Sequence, residues 1–410
     1  MSLWSRLFRR EAKAWGQTEL AIIRDIFGTR ETIAGKNVTW RTALDVTTAL
    51  ACTRVLADGV ATVPLKVMQR DAATGRRREA TEHPVSWLLS HRPNDWMTSV
   101  DFRDTLMMHL ALCRNAFAVK VRAPNGRMLE LLPVEPGKMK VTYRPDGPPA
   151  YAIRREGGQS DIPLPSSDVW HLRALAWDGV MGHEAIKAAR EALGLALATE
   201  EQHARLHANG MQSPGIYSVS GTLNAQQYKD MRAYLDKHVA GLANAHKPLI
   251  LDRDAKWTPL VPTGVDTEHL ATRRFQIEEV CRAFGVLPIM VGHANEQTTF
   301  ASSENMFLAH AVHTLRPWHR RWESSGASAL LTEAEIRDGY YLKFFDAELL
   351  RGAAKDRGDF YAKALGSGGS AAWASPNDIR GWEDMDPIAG GDALPQPAGA
   401  APAPPAASGD

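Results

Sequence analysis

Histidine and carboxylate side chains at short spacing give this chain its best candidates for metal chemistry. His203 and His207 are four residues apart and follow Glu200, so a helix would place all three on one face, as zinc ligands require. The polar and charged residues around them favour a solvated helix face instead. Asp252 and Asp254 form a turn-type pair that lacks the third carboxylate expected of a two-metal nuclease site. The sequence therefore predicts no metal ligand and leaves a metal-dependent nuclease as an alternative only.

Two further polar groups are better explained by structure than by chemistry. Asp168 and His171 lie close together on a predicted strand, but no serine or cysteine nucleophile adjoins them. Arg316, Arg320 and Arg321 form a basic cluster with two histidines near the predicted end of a helix. Cations at a helix C-terminus complement the helix dipole, and this interpretation is favoured over phosphate contact. The sequence therefore predicts no catalytic residue.

Sequence patterns of nucleotide-dependent enzymes and of serine hydrolases are missing. No Gly-x-Gly-x-x-Gly, Gly-x-x-x-x-Gly-Lys-Ser/Thr or Gly-x-Ser-x-Gly pattern occurs. The glycines at 366–370 follow no predicted strand, so they do not form a phosphate-binding loop. We therefore expect a protein that is not an enzyme and has no cofactor.

The charge balance and the cysteine content limit the kinds of partner. The 410 residues carry 48 Lys and Arg against 47 Asp and Glu, a formal net charge of +1. Tight binding of DNA needs a surplus of basic residues on one surface, so this balance leaves only transient contact with DNA. Three widely separated cysteines exclude a disulfide scaffold or a zinc ribbon. No apolar run approaches the roughly 18 residues of a membrane span, and the N-terminus does not read as a secretory signal.

Before residue 180 the pattern alternates between helix and strand and predicts one α+β lobe. Helical spacing runs into an extended stretch at 63–67, and Pro84 opens the next helix. A polar residue within 98–101 can cap a third helix. Residues 115–122 alternate as a strand, and the Asn-Gly turn at 125–126 leads into short strands that indicate a small antiparallel sheet.

The next part of the chain is predicted to hold two helices that bracket a small insert. Residues 182–208 lack proline and are rich in alanine, which indicates one long helix. A second helix is predicted over 267–284, ended by a glycine and a proline. The insert between them is predicted to contain a strand at 214–219, a helix, and a hairpin that pairs 248–251 with 256–260.

After these helices, the sequence predicts a polar loop, a third helix and a C-terminal segment. The third helix is expected to start near Ser302 or Ser303 and to kink at Pro317. A strand follows at 340–345. From residue 393 onward the chain is almost entirely Ala, Pro, Gly and Ser, which cannot form a core and predicts a disordered tail.

Several stretches resemble the tailed-bacteriophage portal proteins, in particular the short class of siphovirus-type head portal proteins. The matching stretches are ACTRVLADGVATVPLKV at 51–67, HP at 83–84 with RPN at 92–94 and MT at 97–98, DVWHL at 168–172 with DGVMG at 178–182, FQIEEVCRAFGV at 275–286, and TLRP at 314–317. One departure occurs at 114–117, where the family usually has Gly-Asn-Ala-Tyr and this chain has Arg-Asn-Ala-Phe.

The resemblance implies the portal-protein fold, an α+β architecture with a wing, a two-helix stem, a small α/β clip insert and a helical crown. The implied segments are a flexible N-terminal arm at 1–40, the first part of the wing at 41–184, a stem helix at 185–209, the clip at 210–264, a stem helix at 265–287, a tunnel loop at 288–302, the second part of the wing at 303–350, the crown at 351–392 and the disordered tail at 393–410.

The resemblance also implies the function. Portal proteins form a ring, generally a homododecamer, at one vertex of the capsid, and double-stranded DNA passes through the ring during packaging and ejection. The implied partners are the other ring subunits, the major capsid protein, the terminase large subunit, the head-tail connector or adaptor protein and the DNA itself, with no membrane. The implied location is the virion, and the host cytoplasm during assembly.

The charge balance and the alanine-rich helices of this sequence are compatible with a ring that encloses a DNA channel. DNA of any sequence must slide through it, so a weak, mixed-charge lining suits the near-zero net charge. Alanine-rich helices permit the close packing of neighbours that a closed ring needs. The candidates for facing DNA lie on the two stem helices and in the loop after them: Lys187, Arg190, Arg205, Arg273, Arg274, His293, Asn295 and Gln297. For each stem charge, a salt bridge to an adjacent subunit is an equally good interpretation.

Two other functions stay open as alternatives. A metal-dependent nuclease acting on DNA would use Asp252 and Asp254, or the histidine pair named above. A membrane-surface adaptor would use the aromatic and apolar residues Trp4, Leu7 and Phe8 of the basic N-terminus. The adaptor ranks last of the three.

Overall fold

The computed structural model describes residues 32–155, 157, 159–208, 215–218, 224–238, 256–259, 265–293, 300–345, 354–367, 371–383 and 385–395. The chain divides into two compact units, Met1–Phe345 and Asp346–Asp410. Within the described ranges, no helix is both long enough and apolar enough to cross a membrane.

Helices and strands are both abundant in the described residues, so the mixed α+β prediction is confirmed. The strands, β1 to β11 in chain order, are Leu65–Arg70, Arg77–Glu79, Asn115–Arg122, Met128–Val134, Met139–Thr142, Ala150–Ile153, Ile162–Leu164, Val169–Arg173, Gly215–Ser218, Lys256–Pro259 and Tyr340–Phe344. The α-helices, α1 to α13, are Trp40–Asp45, Thr47–Ala61, Pro84–Ser90, Ser99–Cys113, Ala185–Ala188, Arg190–Ala208, Ala225–His238, Val265–Phe284, Phe300–Ala309, Arg316–Leu330, Glu333–Arg337, Ala354–Ala364 and Pro376–Trp382.

The strands form small antiparallel sheets with the orders β11-β1-β2, β4-β3-β8, β5-β6-β7 and β10-β9. The predicted single sheet before His171 is thus two three-stranded sheets. In the first sheet, β11 pairs with β1, with Phe344 opposite Leu65. A strand from near the end of the first unit therefore completes a sheet that begins near its start.

The core of the first unit forms where α2 packs against α4. Thr98 begins α4 with a capping box, in which the Asp101 carboxylate accepts from the Thr98 N–H at 3.0 Å. Arg103 is buried and donates to the carbonyl oxygens of Ala61, at 2.8 Å, and Leu89, at 3.0 Å. These carbonyls belong to the last turns of α2 and α3, so the guanidinium satisfies two helix ends. Burial lowers the pKa of Arg103 to about 10.

Helix α10 packs against β8 and β11. The rings of Trp322 and Trp170 meet edge to face at 5.6 Å between centroids, and the Trp170 Nε1–H donates to Ser325 Oγ at 3.0 Å. A Cβ atom at Gly326 would lie 2.5 Å from Leu342 Cδ1 and 3.3 Å from Trp170 Cζ2. A side chain at this position would therefore displace the buried Leu342 side chain.

The helix predicted over 182–208 is two helices, α5 and α6, which meet at Ala189, where φ is −92° and ψ is 7°. Helix α6 contacts α8, and the side chains of Gln276 and Thr199 meet between them at 3.5 Å. At the other end of α8, the buried Cys281 thiol lies 3.8 Å from the Cys52 thiol of α2. Helix α8 therefore connects α6 to the core of the lobe.

Residues 32–36, which lie within the flexible arm predicted over 1–40, contact α6. The Ile33 N–H donates to Glu191 Oε2 at 3.0 Å, and Lys36 forms an ion pair with Glu201. A Cβ atom at Gly194 would lie 2.4 Å from Thr32 Cγ2. The segment is thus fixed to α6 by polar bonds and by close packing.

The third predicted helix begins at Phe300 and continues without a break to Leu330. It contains a π-helical segment, His310–Leu315, directly before α10. Pro317 has no N–H to offer the carbonyl of His313, so the proline disturbs the hydrogen-bond ladder on its N-terminal side. The irregularity predicted at the proline therefore appears as a π segment just before it.

The insert contains β9, α7 and β10. Strands β9 and β10 pair antiparallel, with Tyr217 opposite Trp257. Asn224 begins α7, since its Oδ1 accepts from the Gln227 N–H at 2.8 Å. The strand partner of Lys256–Pro259 is thus β9, and residues 248–251, the predicted partner, lie outside the described residues.

The second unit contains α12 and α13. Ser375 begins α13 with a capping box to Asp378. The Phe360 ring lies 5.5 Å from Trp373 and 6.3 Å from Trp382, measured between centroids. These aromatic contacts join the two helices.

Candidate channel helices and docking surfaces

The predicted channel residues lie on α5, α6, α8 and the segment after α8. Arg273 and Arg274 are exposed on α8. Lys187 on α5 pairs with Glu184, with 2.8 Å between Nζ and Oε1, and Arg190 is half-buried at the start of α6. Among the described side chains, Arg273 and Arg274 therefore present the most accessible positive charge of the predicted set.

The remaining predicted channel residues are only partly within the described ranges. Gly292 adopts a positive φ of 78° after a short 3₁₀ turn, and His293, half-buried, follows it. The side chain of Arg205 and the whole of Asn295 and Gln297 lie outside the described residues. Helices α6 and α8 thus lie in contact, whereas residues 294–299 of the predicted tunnel loop lie outside the described residues.

Most residues that the sequence offered as alternative metal ligands lie outside the described part of the chain. These are the side chains of His203 and His207 and the whole of Asp252 and Asp254. Across the part of the chain that the structure describes, no group of three His, Cys, Asp or Glu side chains is placed to hold a metal ion.

His171 is a buried hydrogen-bonding group between two sheets. Its Nδ1 lies 3.2 Å from Tyr151 Oη and its Nε2 lies 3.1 Å from Asn115 Oδ1. Burial, together with the nearby Arg173, lowers the pKa of His171 to about 3, so the ring is neutral at pH 7. Asp168 instead accepts a hydrogen bond from the neighbouring serine, Ser167. The structural role predicted for this histidine agrees with these contacts.

Sequence reasoning missed the role of Arg114, the last residue before β3. Its φ of 57° is the only positive value at a non-glycine residue in the described ranges. Glycine is the residue that favours such a left-handed helix end, and glycine is what the family pattern has there. The departure from that pattern at 114–117 was the available signal.

Arg114 connects three elements. Its Nη2 donates to the carbonyl of Ala283 at the end of α8 at 3.0 Å, and its guanidinium lies 5.4 Å from the ring centroid of Trp318 on α10. Burial, reinforced by Arg321, lowers the pKa of Arg114 to about 10. A Cβ atom at Gly182 would lie 2.1 Å from the Arg114 carbonyl oxygen, so the chain before α5 also packs on this turn.

The basic cluster on α10 lies in the middle of a continuous helix. The helix runs on to Leu330, so no free C-terminal carbonyls adjoin Arg316, Arg320 or Arg321, and the prediction that they complement a helix dipole is wrong. His319 is buried and stacks on Phe344 at 4.5 Å between centroids. The arginines are exposed, and Arg320 pairs with Glu323 at 2.8 Å.

An exposed apolar loop joins β8 to α5. Trp177 is 99% exposed and Leu175 is 70% exposed. The Asp178 carboxylate accepts from the Val180 and Met181 N–H groups at 2.8 and 2.9 Å, which holds the loop in a tight turn. A fully exposed tryptophan on an ordered turn is typical of a protein contact surface.

The described residues thus form an α+β lobe, two adjoining helices that bracket a small insert, and an exposed apolar turn before α5. The chain belongs to the phage portal protein family: the family described as "Phage portal protein" matches residues 47–384. Members of this family are portal proteins, which are structural components of the virion and not enzymes. The match gives the nuclease alternative no support.

Individual relatives agree with the family match. The chain is 29% identical to the "Portal protein" of Enterobacteria phage HK97, over 85% of this chain and 81% of that one. It is 30% identical to the "Probable portal protein" of Streptomyces phage phiC31, over 95% of this chain and 87% of that one. In fold it is similar to a chain from the neck of a native gene transfer agent (GTA) particle, a structure computed with C12 symmetry. The TM-score is 0.57 at 19% identity, and the match covers 88% of this chain and 96% of that chain.

Proposed function

We propose that twelve copies of this chain form a closed ring at one capsid vertex, through which double-stranded DNA enters during packaging and leaves during ejection. The observation that carries the proposal is the family match over residues 47–384, which includes the lobe, both helices α6 and α8 and the long helix α10. The C12 symmetry of the related neck structure supports the subunit number. A closed ring needs two different surfaces on each subunit that fit each other.

Within this ring, α5, α6 and α8 serve as the stem, and the insert around α7 serves as the clip. The lobe at 41–184 and the segment at 303–350 together form the wing, which the pairing of β11 with β1 supports. Residues 288–302 form the tunnel loop and 351–392 the crown. Arg273 and Arg274 face the DNA, with the other predicted stem and loop residues beside them.

The partners follow from this arrangement. The Trp177 turn contacts the neighbouring subunit, since its apolar surface has no cover within the described residues. The clip docks the terminase large subunit during packaging and the connector or adaptor protein afterwards, and the wing contacts the major capsid protein. Because the sequence has no phosphate-binding loop, the packaging motor's ATPase activity belongs to a partner.

Charge reversal tests the channel assignment. In Arg273→Glu with Arg274→Glu, the lining repels DNA, and we expect the yield of DNA-filled particles to fall about tenfold while rings still form. The matched control is Arg76→Glu with Arg77→Glu, an exposed arginine pair outside the stem, which should package normally. Equal yields from both double variants would contradict the assignment.

A further inference from the structure

A basic, hydroxyl-rich cavity lies between α10, the edge strand β8 and the segment before β6. Its volume is about 850 Å³. Four of its lining residues are the cations Lys120, Arg173, Arg320 and Arg321, and five more are serines. No carboxylate is among the lining residues, which is unusual for a chain whose charges balance overall.

One wall of the cavity is a single face of α10. Ser324 and Ser325 follow Arg321 by three and four residues, and Ser328 follows them by four and three, so all four side chains lie on one face of the helix. Beside this wall, α10 is held in the core by the contacts of Trp170 with Trp322 and with Ser325. The wall is therefore rigid, as a binding site requires.

The hydroxyl groups of this wall are available to a ligand. Ser325 is used within the protein, because it accepts from the Trp170 Nε1–H. Ser324 and Ser328 are exposed, and no hydrogen bond of their side chains occurs among the described residues. These two hydroxyls can donate into the cavity.

The cations differ in how far they are already neutralised. Arg320 pairs with the mostly buried Glu323 at 2.8 Å, and Lys343 pairs with the same carboxylate at 3.2 Å. Arg321 has no carboxylate partner among the described residues and lies 5.2 Å over the Trp318 ring. At least one guanidinium therefore faces the cavity with its charge uncompensated.

Lys120 adds a charge at the back of the cavity. Its side chain is largely buried and its Nζ donates to the carbonyl of Ala329 at 2.7 Å, which uses one of its three N–H groups. Burial, together with the neighbouring Arg122, lowers the pKa of Lys120 to about 8, although the nearby Asp168 carboxylate acts in the opposite direction. An anion in the cavity would offset this cost of desolvation.

We propose that this cavity binds a phosphate group, supplied either by free phosphate or by the backbone of DNA. A phosphate group presents several oxygens that accept hydrogen bonds. The cavity presents guanidinium, ammonium and hydroxyl groups that donate them. The planar guanidinium of Arg321 suits two phosphate oxygens at once. No residue of α6 or α8 lines the cavity, so it is a second anion contact in addition to the proposed channel.

Titration calorimetry of the assembled full-length protein with inorganic phosphate tests the proposal. We expect saturable binding that weakens about tenfold or more in Arg321→Gln and in Ser324→Asp, because each variant removes a charged contact or adds a repelling charge. The matched control is Ala334→Asp, which adds the same charge on the exposed face of α11 and should bind as the unchanged protein does. Electron microscopy of the same samples checks that rings persist.

Two competition arms identify the source and can overturn the proposal. A short DNA duplex that displaces phosphate, and loses affinity in the same two variants, assigns the site to the DNA backbone. Failure to displace phosphate assigns it to the free ion. Three results would overturn the proposal. The first is that the unchanged protein does not bind phosphate. The second is that Ala334→Asp loses as much phosphate affinity as Arg321→Gln and Ser324→Asp. The third is that a polyglutamate peptide binds more tightly than phosphate.

Discussion

Substitution of Arg114 tests how the lobe is joined to the end of α8. In Arg114→Gly, the backbone no longer holds a side chain at a φ of 57°, which relieves about 1 kcal/mol. The same change removes the hydrogen bond to the Ala283 carbonyl, about 1.5–3 kcal/mol for a charged donor, and the contact with Trp318, about 0.5–1 kcal/mol. The losses exceed the gain, so we expect net destabilisation of about 1–3 kcal/mol.

Arg114→Ala separates the two effects. It loses the same contacts but keeps a Cβ atom at a left-handed position, so it should be less stable than Arg114→Gly by about 1 kcal/mol. The assay is equilibrium urea unfolding followed by tryptophan fluorescence, at one fixed protein concentration.

The control pair is at Arg144, an exposed arginine whose φ is not positive. There alanine should be at least as stable as glycine, because glycine has more unfolded-state entropy to lose. If Arg114→Ala proved as stable as Arg114→Gly, the account of this turn would be refuted.

Three further outcomes are expected. Gly326→Ala should cost about 1–3 kcal/mol of unfolding free energy in the same assay, because its Cβ atom would lie 2.5 Å from Leu342 Cδ1; an unchanged urea midpoint would count against the packing of α10. The pKa of His171 is about 3 in the fold against an ordinary 6.5, so the unfolded state binds more protons below pH 6.5. The stability that His171 contributes is complete above about pH 6.5 and falls by about 1.4 kcal/mol per pH unit between about pH 6.5 and about pH 3. The unfolding free energy of His171→Gln should therefore fall less steeply over this pH range. Short linear DNA should bind weakly at physiological salt, with a slope of log K against log salt shallower than about −4 by fluorescence anisotropy, and a steeper slope would contradict the weak lining.

The elements that the sequence predicted well are those with local signals. Pro84, the cap at Thr98 and the alternation over 115–122 each act within a few residues, and the structure has α3, α4 and β3 there. The pairing of β11 with β1 joins residues far apart in the chain, and no local pattern specifies such a partner. The backbone of Arg114 was missed for a related reason, since it is stabilised by contacts to α8 and α10 that outweigh the local preference for glycine.

The mass of the intact assembly decides whether this chain forms a closed portal ring. We expect one dominant species of twelve 45.1 kDa chains, seen as closed rings with a central channel by electron microscopy of the same sample. A protein that stays monomeric at every concentration and salt, or that grows into open filaments without closing, would contradict it.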